Sequence, residues 1–600
     1  MRTTNPIRAR WAKTLTFQAL FVGAVLILHA LLLGRIAVIN APMFDEIAHV
    51  PSGVTHWRFG NFDLYRVNPP LMRMIATVPL LFLNPTIPLE GIPDGPYSRP
   101  EFSLRQPFLS SNGDEVFWYF TLCRWAQIPV SCLGGWICYR WSRELYGQVS
   151  GRIALLMWCF CPNVLAWGST LTPDLGAATF GVAAGYSFWR WIKQPSWTTA
   201  TIAGITLGLA ELSKTIWGIL FLTWPMTWIV IWIAVRCRHR QSRDVDSTAF
   251  RSESPPGALQ FATILAISVY VINVGYLFES SFRPLGEFNF ISNTLGGSGA
   301  HATPGNRFRN TIAEWIPVPV PANYLKGIDI QKYDFEVGKW SYLAGEHKRG
   351  GWYHYYLYAF LVKTPLGMIG LAAAALLLTI YWRQANRLDE LQLVLPLLGI
   401  ILIVSSQTGF NRYFRYVLPA LPYLHVFASR VGIVFDSQKR SLQTASAICL
   451  LSAMLASASV FPHSHSYFNA VAGGPTGGPA HLLDANIDWG QDLLNLRRYL
   501  DQHPEIKTIG VAYFGVVPPS LAGIPDTEVP EDMGHSVHTP PIEPGWYAIS
   551  VNHVYGYRRF DRSQPVYEYF RRFSPTAKAG YSIYIYHLTP DMLDRDRLTQ

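Results

Sequence analysis

Asp45, Glu46 and His49 stand a few residues beyond the first long apolar run of the sequence, residues 15–39. Two adjacent carboxylates and an imidazole are groups that exchange protons near neutral pH. Positions three and four apart share a helix face, so His49 is expected beside both acids, touching an acceptor or orienting Asp45. An interfacial histidine without a chemical role is the plain alternative. A membrane-crossing first run brings Asp45 and Glu46 out at the far surface, where an acidic pair is costly and marks a functional position. Capping of a short interfacial helix would explain the same carboxylates.

Other charges interrupt the apolar runs that follow. Arg124 lies in the second run, Asp174 closes Thr172-Pro173-Asp174, and Lys214 follows Ser213 in a tight turn. Lys363 precedes Thr364-Pro365, and Arg412 and Arg415 precede another apolar run. Singly, each has a structural reading. Lys214 and Lys363 can snorkel, Arg124 can pair with helix carbonyls, and Asp174 can cap the helix after it. Together, acids mixed with cations at one membrane face suit displacement of a lipid-linked phosphate. The acid takes the acceptor's proton and the cations stabilise charge on the departing phosphate.

The elements that must position these groups are membrane helices. Of 600 residues, 50% are hydrophobic and only 15% charged, which describes a polytopic membrane protein. The net charge of +10 is accounted for by cationic cytoplasmic loops and needs no nucleic acid. The cysteines fall in apolar spans or a basic loop, so no disulfide framework is predicted. Arg8, Arg10 and Lys13 place the N-terminus in the cytoplasm, and residues 15–39 read as an uncleaved anchor. Further spans are predicted at 117–141, 152–167, 175–191, 198–212, 216–235, 259–278, 365–382, 391–406, 417–435 and 442–461, about eleven in all. The loop with Arg236, Arg238, Arg240 and Arg243 is then cytoplasmic, while 41–116 and 279–350 are extracytoplasmic loops. Within the first of these, residues 70–83 suit a helix lying at the membrane surface.

Residues 462–600 turn polar and read as a small extracytoplasmic α/β domain behind a membrane domain of residues 1–461. Leu493, Leu494, Leu496 and Leu500 show helical spacing, 506–514, 546–551 and 581–587 read as strands, and 566–573 as a helix. Asp488, Trp489, Gln491 and Asp492 head the first of these helices, as a cap, an acceptor surface or a lid.

The ordered series of motifs resembles a known family. Asp45-Glu46-x-x-His49, Asn68-Pro69-Pro70-Leu71, Arg124, Thr172-Pro173-Asp174, Ser213-Lys214, Lys363-Thr364-Pro365-Leu366 and Arg415-Tyr416-x-Leu418-Pro419 are similar to those of GT-C superfamily membrane glycosyltransferases. The resemblance is closest to the protein O-mannosyltransferase and aminoarabinose-transferase branch, glycosyltransferase family 39. Asn486-x-Asp488-Trp489-Gly490-Gln491-Asp492 resembles a segment of bacterial members of unassigned substrate, and Asn68 stands where the family carries His. The resemblance implies a GT-C-type helical fold in the cell membrane, with interfacial helices in the first loop. It also implies inverting transfer of a sugar from a polyprenyl-phosphate carrier to a lipid, glycan or protein acceptor on the extracytoplasmic side. By the same carry-over, Asp45 is the general base, Glu46 positions the acceptor or a metal, and Asp174 is a second acid. Arg124, Lys214, Lys363 and Arg415 are candidates for holding the donor phosphate, beside the acceptor contact that spacing alone offers for His49. No cofactor is called for, and a divalent metal stays open, since its use varies within the superfamily.

Two other classes fit a polar cavity among many helices: a lipid-linked sugar flippase and a non-catalytic assembly subunit. The long extracytoplasmic loops, the one-sided carboxylates and the lack of broken-helix symmetry weigh against a transporter.

Overall fold

Uncharged aliphatic runs of bilayer length fold as helices because the backbone finds no other partner in hydrocarbon. The computed structural model describes residues 6–241, 256–381, 387–530, 542–557 and 567–599. Helix α1 (Pro6–Ile39) leads into the first loop, which carries α2 (Glu46–Phe59) and α3 (Leu71–Thr77). Then come α4 (Glu115–Tyr146), α5 (Gln148–Cys159), α6 (Pro173–Lys193), α7 (Trp197–Ser213), α8 (Leu220–Gln241) and α9 (Ala258–Gly275). The second loop holds α10 (Ala322–Val337) and a hairpin of β1 (Trp340–Leu343) and β2 (Glu346–Arg349). It returns through α11 (Tyr355–Lys363), α12 (Leu366–Tyr381), α13 (Arg387–Ser406), the span Phe414–Asp436 and α14 (Arg440–Val460).

Among the described residues, six segments are long and apolar enough to cross a bilayer, and eight if each of two bent helix pairs is one span. Both bends have a proline as their cause. Cys161 before Pro162 and Thr364 before Pro365 are forced into extended backbone, and the paired helices turn by 55° and 113°. The other three expected crossings, α4, α6 and α7, fall short of that criterion. Helix α7 has 17 residues, and α4 and α6 are rich in aromatic and small residues instead of aliphatic ones. The reason is that α6 faces protein. A Cβ at Gly176, Gly181 or Gly185 would strike Met72 at 2.2 Å, Trp217 at 1.7 Å or Tyr423 at 2.6 Å. Helices packed this closely against neighbours do not advertise themselves by hydropathy.

The basic stretch Arg236 to Arg240, expected as loop, continues α8, and residues 242–255 lie outside the described residues. In the first loop, α3 and a 3₁₀ turn, Val78–Leu81, occupy the stretch expected at the membrane surface.

After α14 the chain runs irregularly to residue 492, buried over 464–469 and 482–492 and partly exposed between, then forms α15 (Leu493–Gln502) and a five-stranded sheet. Its strands are β3 (Ile509–Ala512), β4 (Asp526–Thr527), β5 (Gly545–Ser550), β6 (Ala577–Ala579) and β7 (Ile583–Leu588), in the order β4-β3-β5-β7-β6. Strand β3 runs parallel to β4 and β5, and β7 antiparallel to β5 and β6. Leu493, Leu496 and Leu500 of α15 are buried, while the expected helix at 566–573 is a 3₁₀ turn, Glu568–Arg572. The chain change at residue 462 is not a break in packing. One apolar core runs from Val22 of α1 to Leu593, and a second joins Ile47, Val50 and Val54 of α2 to the sheet residues Ala548, Ile583 and Ile585. The C-terminal sheet therefore braces the loop that carries Asp45.

Candidate active site

Asp45 caps the N-terminal end of α2, and its carbonyl accepts from the N–H groups of Ala48 and His49. The turn before it is pinned from the C-terminal segment, where Gln491 O accepts the Ala41 N–H at 2.9 Å. From here the two neighbouring carboxylates diverge.

Glu46 points inward and is sealed. Its Oε1 accepts from Arg124 Nε at 2.9 Å and Leu171 N at 2.7 Å; its Oε2 accepts from Arg124 Nη2 at 2.5 Å and Met43 N at 2.8 Å. Arg124 donates its remaining hydrogens to the carbonyls of Ala37, Asn40 and Ala41 at 2.7–2.9 Å. All five guanidinium donors and both carboxylate oxygens are thus used, leaving nothing for a phosphate or an acceptor. The expected roles of Glu46 in positioning an acceptor and of Arg124 in holding a phosphate have no support in this arrangement.

Asp45 points outward. Its Oδ2 accepts from Arg415 Nη2 at 2.6 Å, and among the described residues its Oδ1 has no partner. Arg415 Nη1 lies 3.5 Å from Asp174 Oδ2, and Lys214 Nζ donates to Asp174 Oδ1 at 2.6 Å. Acid and cation alternate through Asp45, Arg415, Asp174 and Lys214. Asp174 stands in the first turn of α6 behind Pro173, where a fixed φ starts a helix and a negative charge is favoured. The Arg415 guanidinium is held between aromatic faces, 4.7 Å from the Tyr413 ring and 4.5 Å from that of Trp489.

All four groups line one cavity of about 250 Å³. Arg99, Arg105, Lys339 and Arg412 line it too, so with Asp334 it has six cations against three carboxylates. Asp334 ties the two loops together across it, accepting from Arg99 Nη1 at 2.9 Å and standing 3.1 Å from Lys339 Nζ. Burial lowers the Lys214 and Lys339 ammonium groups, and Asp174 and Asp334 respectively pull them back up. Burial opposes the charge on Arg99 as well, but Glu101 and Asp334 outweigh it and raise that group. A site with an excess of positive charge is built for an anion.

Two expected ligand contacts lie elsewhere. Lys363 donates to the carbonyls of His465 at 3.0 Å and Asn486 at 2.6 Å, and so clamps the C-terminal segment to α11. His49 sits behind the cavity wall, stacked on Tyr65 with ring centroids 4.6 Å apart. Burial, then Arg73 and Arg415, hold its pKa well below the usual histidine range, so it is neutral. Among the described residues no three His, Cys, Asp or Glu side chains gather to hold a metal, and both Asp45 and Asp174 already face cations. The donor set does not fit a divalent ion.

Residues 120–242, which include Arg124, Asp174 and Lys214, match the family model described as dolichyl-phosphate-mannose-protein mannosyltransferase. Over that stretch the chain is similar to this mannosyltransferase family. Among curated proteins none matches this chain. Several solved structures align with it at low identity. ArnT from Cupriavidus metallidurans bound to undecaprenyl phosphate is 12% identical, with 95% of this chain and 98% of that one covered and a TM-score of 0.45. The oligosaccharyltransferase AglB from Archaeoglobus fulgidus, in complex with an inhibitory peptide and a dolichol-phosphate, is 14% identical, with 73% and 54% covered and a TM-score of 0.41. The cavity cations Arg99, Arg105 and Lys339 belong to no motif of the GT-C series. Their signal in the sequence is faint: charged residues in loops on the side of Asp45.

Proposed function

We propose that the protein moves a sugar from a polyprenyl-phosphate carrier to an acceptor hydroxyl by one inverting displacement, with Asp45 as general base. The observation that carries this reading is the placement of Asp45 and Asp174 against Arg415 and Lys214 in one cationic cavity. Asp45 Oδ1 takes the proton as the acceptor oxygen attacks the anomeric carbon. The bond from that carbon to the phosphate oxygen breaks, and the carrier leaves as its phosphate. Arg415 and Lys214 stabilise the charge that gathers on the phosphate, acting where water is largely excluded. A bidentate guanidinium suits that oxyanion better than an ammonium does.

The carrier's chain has a route. A second cavity, of about 260 Å³, is lined mainly by apolar groups such as Ile216, Ile328, Ile403 and Val404. It shares Lys214, Gln331, Phe335 and Tyr416 with the cationic cavity. A ligand with an apolar tail and a charged head fits such a junction, with its phosphate at Lys214. In this reading the enzyme lies in the cell membrane with its N-terminus cytoplasmic. The two loops and the C-terminal sheet face the extracytoplasmic side, where a lipid, glycan or protein acceptor arrives. Purified protein incubated with polyprenyl-phosphate sugars and cell-envelope extract should release polyprenyl phosphate, detected by mass spectrometry. Donor consumed in no condition, or moved across a bilayer unchanged, would reject the enzyme reading.

A further inference from the structure

Helix α9 is one of the bilayer-length segments, and Tyr270 on its outer face is exposed. The apolar surface does not stop where α9 ends. Leu277, Phe278 and Phe282 take positive φ of 53°, 59° and 62°, a conformation that glycine adopts readily and large side chains rarely. Their side chains are nevertheless exposed, all three of them. The Phe278 ring lies 5.7 Å from that of Tyr270, so the outer face of α9 continues into the second loop. The first loop joins it. A Cβ at Gly60 would lie 3.4 Å from Leu277, and Phe59 beside that glycine is exposed as well.

A second strip of the same loop is tied to the first. Phe282 N donates to Val318 O at 2.8 Å, Val318 N to Arg283 O at 3.0 Å, and Leu285 N to Ile316 O at 3.0 Å. This strip opens with a 3₁₀ turn, Ile312–Trp315, in which Ile312 is 94% and Trp315 78% exposed; Ile316 after it is exposed too. The one acid of the turn faces away from them. Glu314 packs over Gly286, where a Cβ would lie 2.4 Å from its Cγ, and its carboxylate accepts the Asn310 N–H at 2.8 Å. Large apolar side chains gathered on one surface mark contact with something other than water. Their position says what it is. Leu277 is two residues beyond the last residue of α9, so no more than about 7 Å of chain separates it from the spanning helix.

We infer that residues 277–282 and 312–316 are seated in the bilayer interface on the side of Asp45, with Ile312 and Trp315 reaching the acyl chains. An indole suits that depth, its ring apolar and its N–H able to meet the headgroups. The seat has a consequence for the cationic cavity. Asn273, in the last turn of α9, donates to Pro319 O at 2.8 Å, and Ala322 N, the first of α10, donates to Glu279 O at 3.3 Å. Helix α10 carries Gln331, Asp334 and Phe335 of the cavity wall. The membrane surface thereby sets the height of that wall.

A nitroxide in the full-length protein, in phosphatidylcholine nanodiscs, tests this without any turnover. It is attached through p-acetylphenylalanine, so the native cysteines stay in place. One label replaces Ile312, one Trp315, one Tyr270 as the lipid reference and one the exposed Lys507 as the water reference. Power saturation compares collisions with oxygen, which concentrates in hydrocarbon, and with a neutral nickel chelate, which stays in water. The labels at 312 and 315 should behave as at 270, gaining oxygen collisions and losing nickel collisions relative to 507. Labels there that follow position 507 place the turn in water and overturn the inference. Labels shielded from both reagents assign the surface to a protein contact, a second copy of this chain included, and overturn it as well.

Discussion

Two acid–arginine pairs begin one residue apart in this chain, and they differ in how many of their hydrogen-bonding positions are filled. Glu46 with Arg124 is closed, the glutamate side chain 0% exposed and every donor and acceptor filled. Asp45 with Arg415 is half-open, the aspartate side chain 12% exposed and one oxygen left without a partner. The first pair fixes the turn between α1 and α2 to α4. The second keeps one carboxylate oxygen open to the cavity. What separates structure from chemistry here is the number of hydrogen-bonding positions left over, since both pairs have charge, burial and short distances.

That contrast breaks first at Glu46. Glu46→Gln sets an amide N–H₂ against the donors of Arg124 and Met43 and leaves a buried guanidinium uncompensated, at a cost of about 3–5 kcal/mol of stability. The check is unfolding in detergent. A variant as stable as the parent that had lost transfer would return Glu46 to the reaction.

Arg415→Lys keeps one charge but cannot bridge Asp45 and Asp174 together. Donor kcat/KM should fall by about 2 kcal/mol, roughly 30-fold, with little change in unfolding. Equal loss on donor and on stability would make this pair resemble the first.

Much of this was legible in the sequence, and unevenly so. The spans with the most aliphatic residues, three of the five strands of the C-terminal sheet and the Asp45, Asp174, Lys214 and Arg415 set all appear in the linear pattern. The divergence of Asp45 from Glu46 does not, because adjacent residues on a helix point about 100° apart and sequence says nothing of which direction is core. Lys363 reads like Lys214 in sequence, yet it meets backbone carbonyls in place of a carboxylate. Arg99 and Lys339 reach the cavity from opposite loops through Asp334, a meeting that only tertiary packing decides.

Lys363→Met provides the next comparison, since it strips two buried carbonyls of a donor. It should cost about 1–3 kcal/mol of stability and leave the donor KM unchanged. A selective rise in donor KM would restore Lys363 to phosphate binding.

The last comparison lies in the C-terminal unit that braces the first loop. Burial pushes the Asp488 carboxyl up to about 7 from an ordinary 3.8, against hydrogen bonds from Ser550 and Gly490 N. Its contribution to stability is full below the ordinary value and is lost as pH rises through about 7. The thermal midpoint should therefore decline between pH 5 and pH 8, and Asp488→Asn should flatten that decline. An unchanged pH slope in the variant would assign the titration to another group.

The central claim, that the half-open pair is the one that reacts, is tested most directly by Asp45→Asn in the purified, full-length protein. The amide keeps the size of the carboxylate and cannot take the acceptor's proton. Release of polyprenyl phosphate should fall about 10²–10⁴-fold while unfolding and donor binding stay as in the parent. Transfer at the parent rate by a folded Asp45→Asn protein would contradict the account.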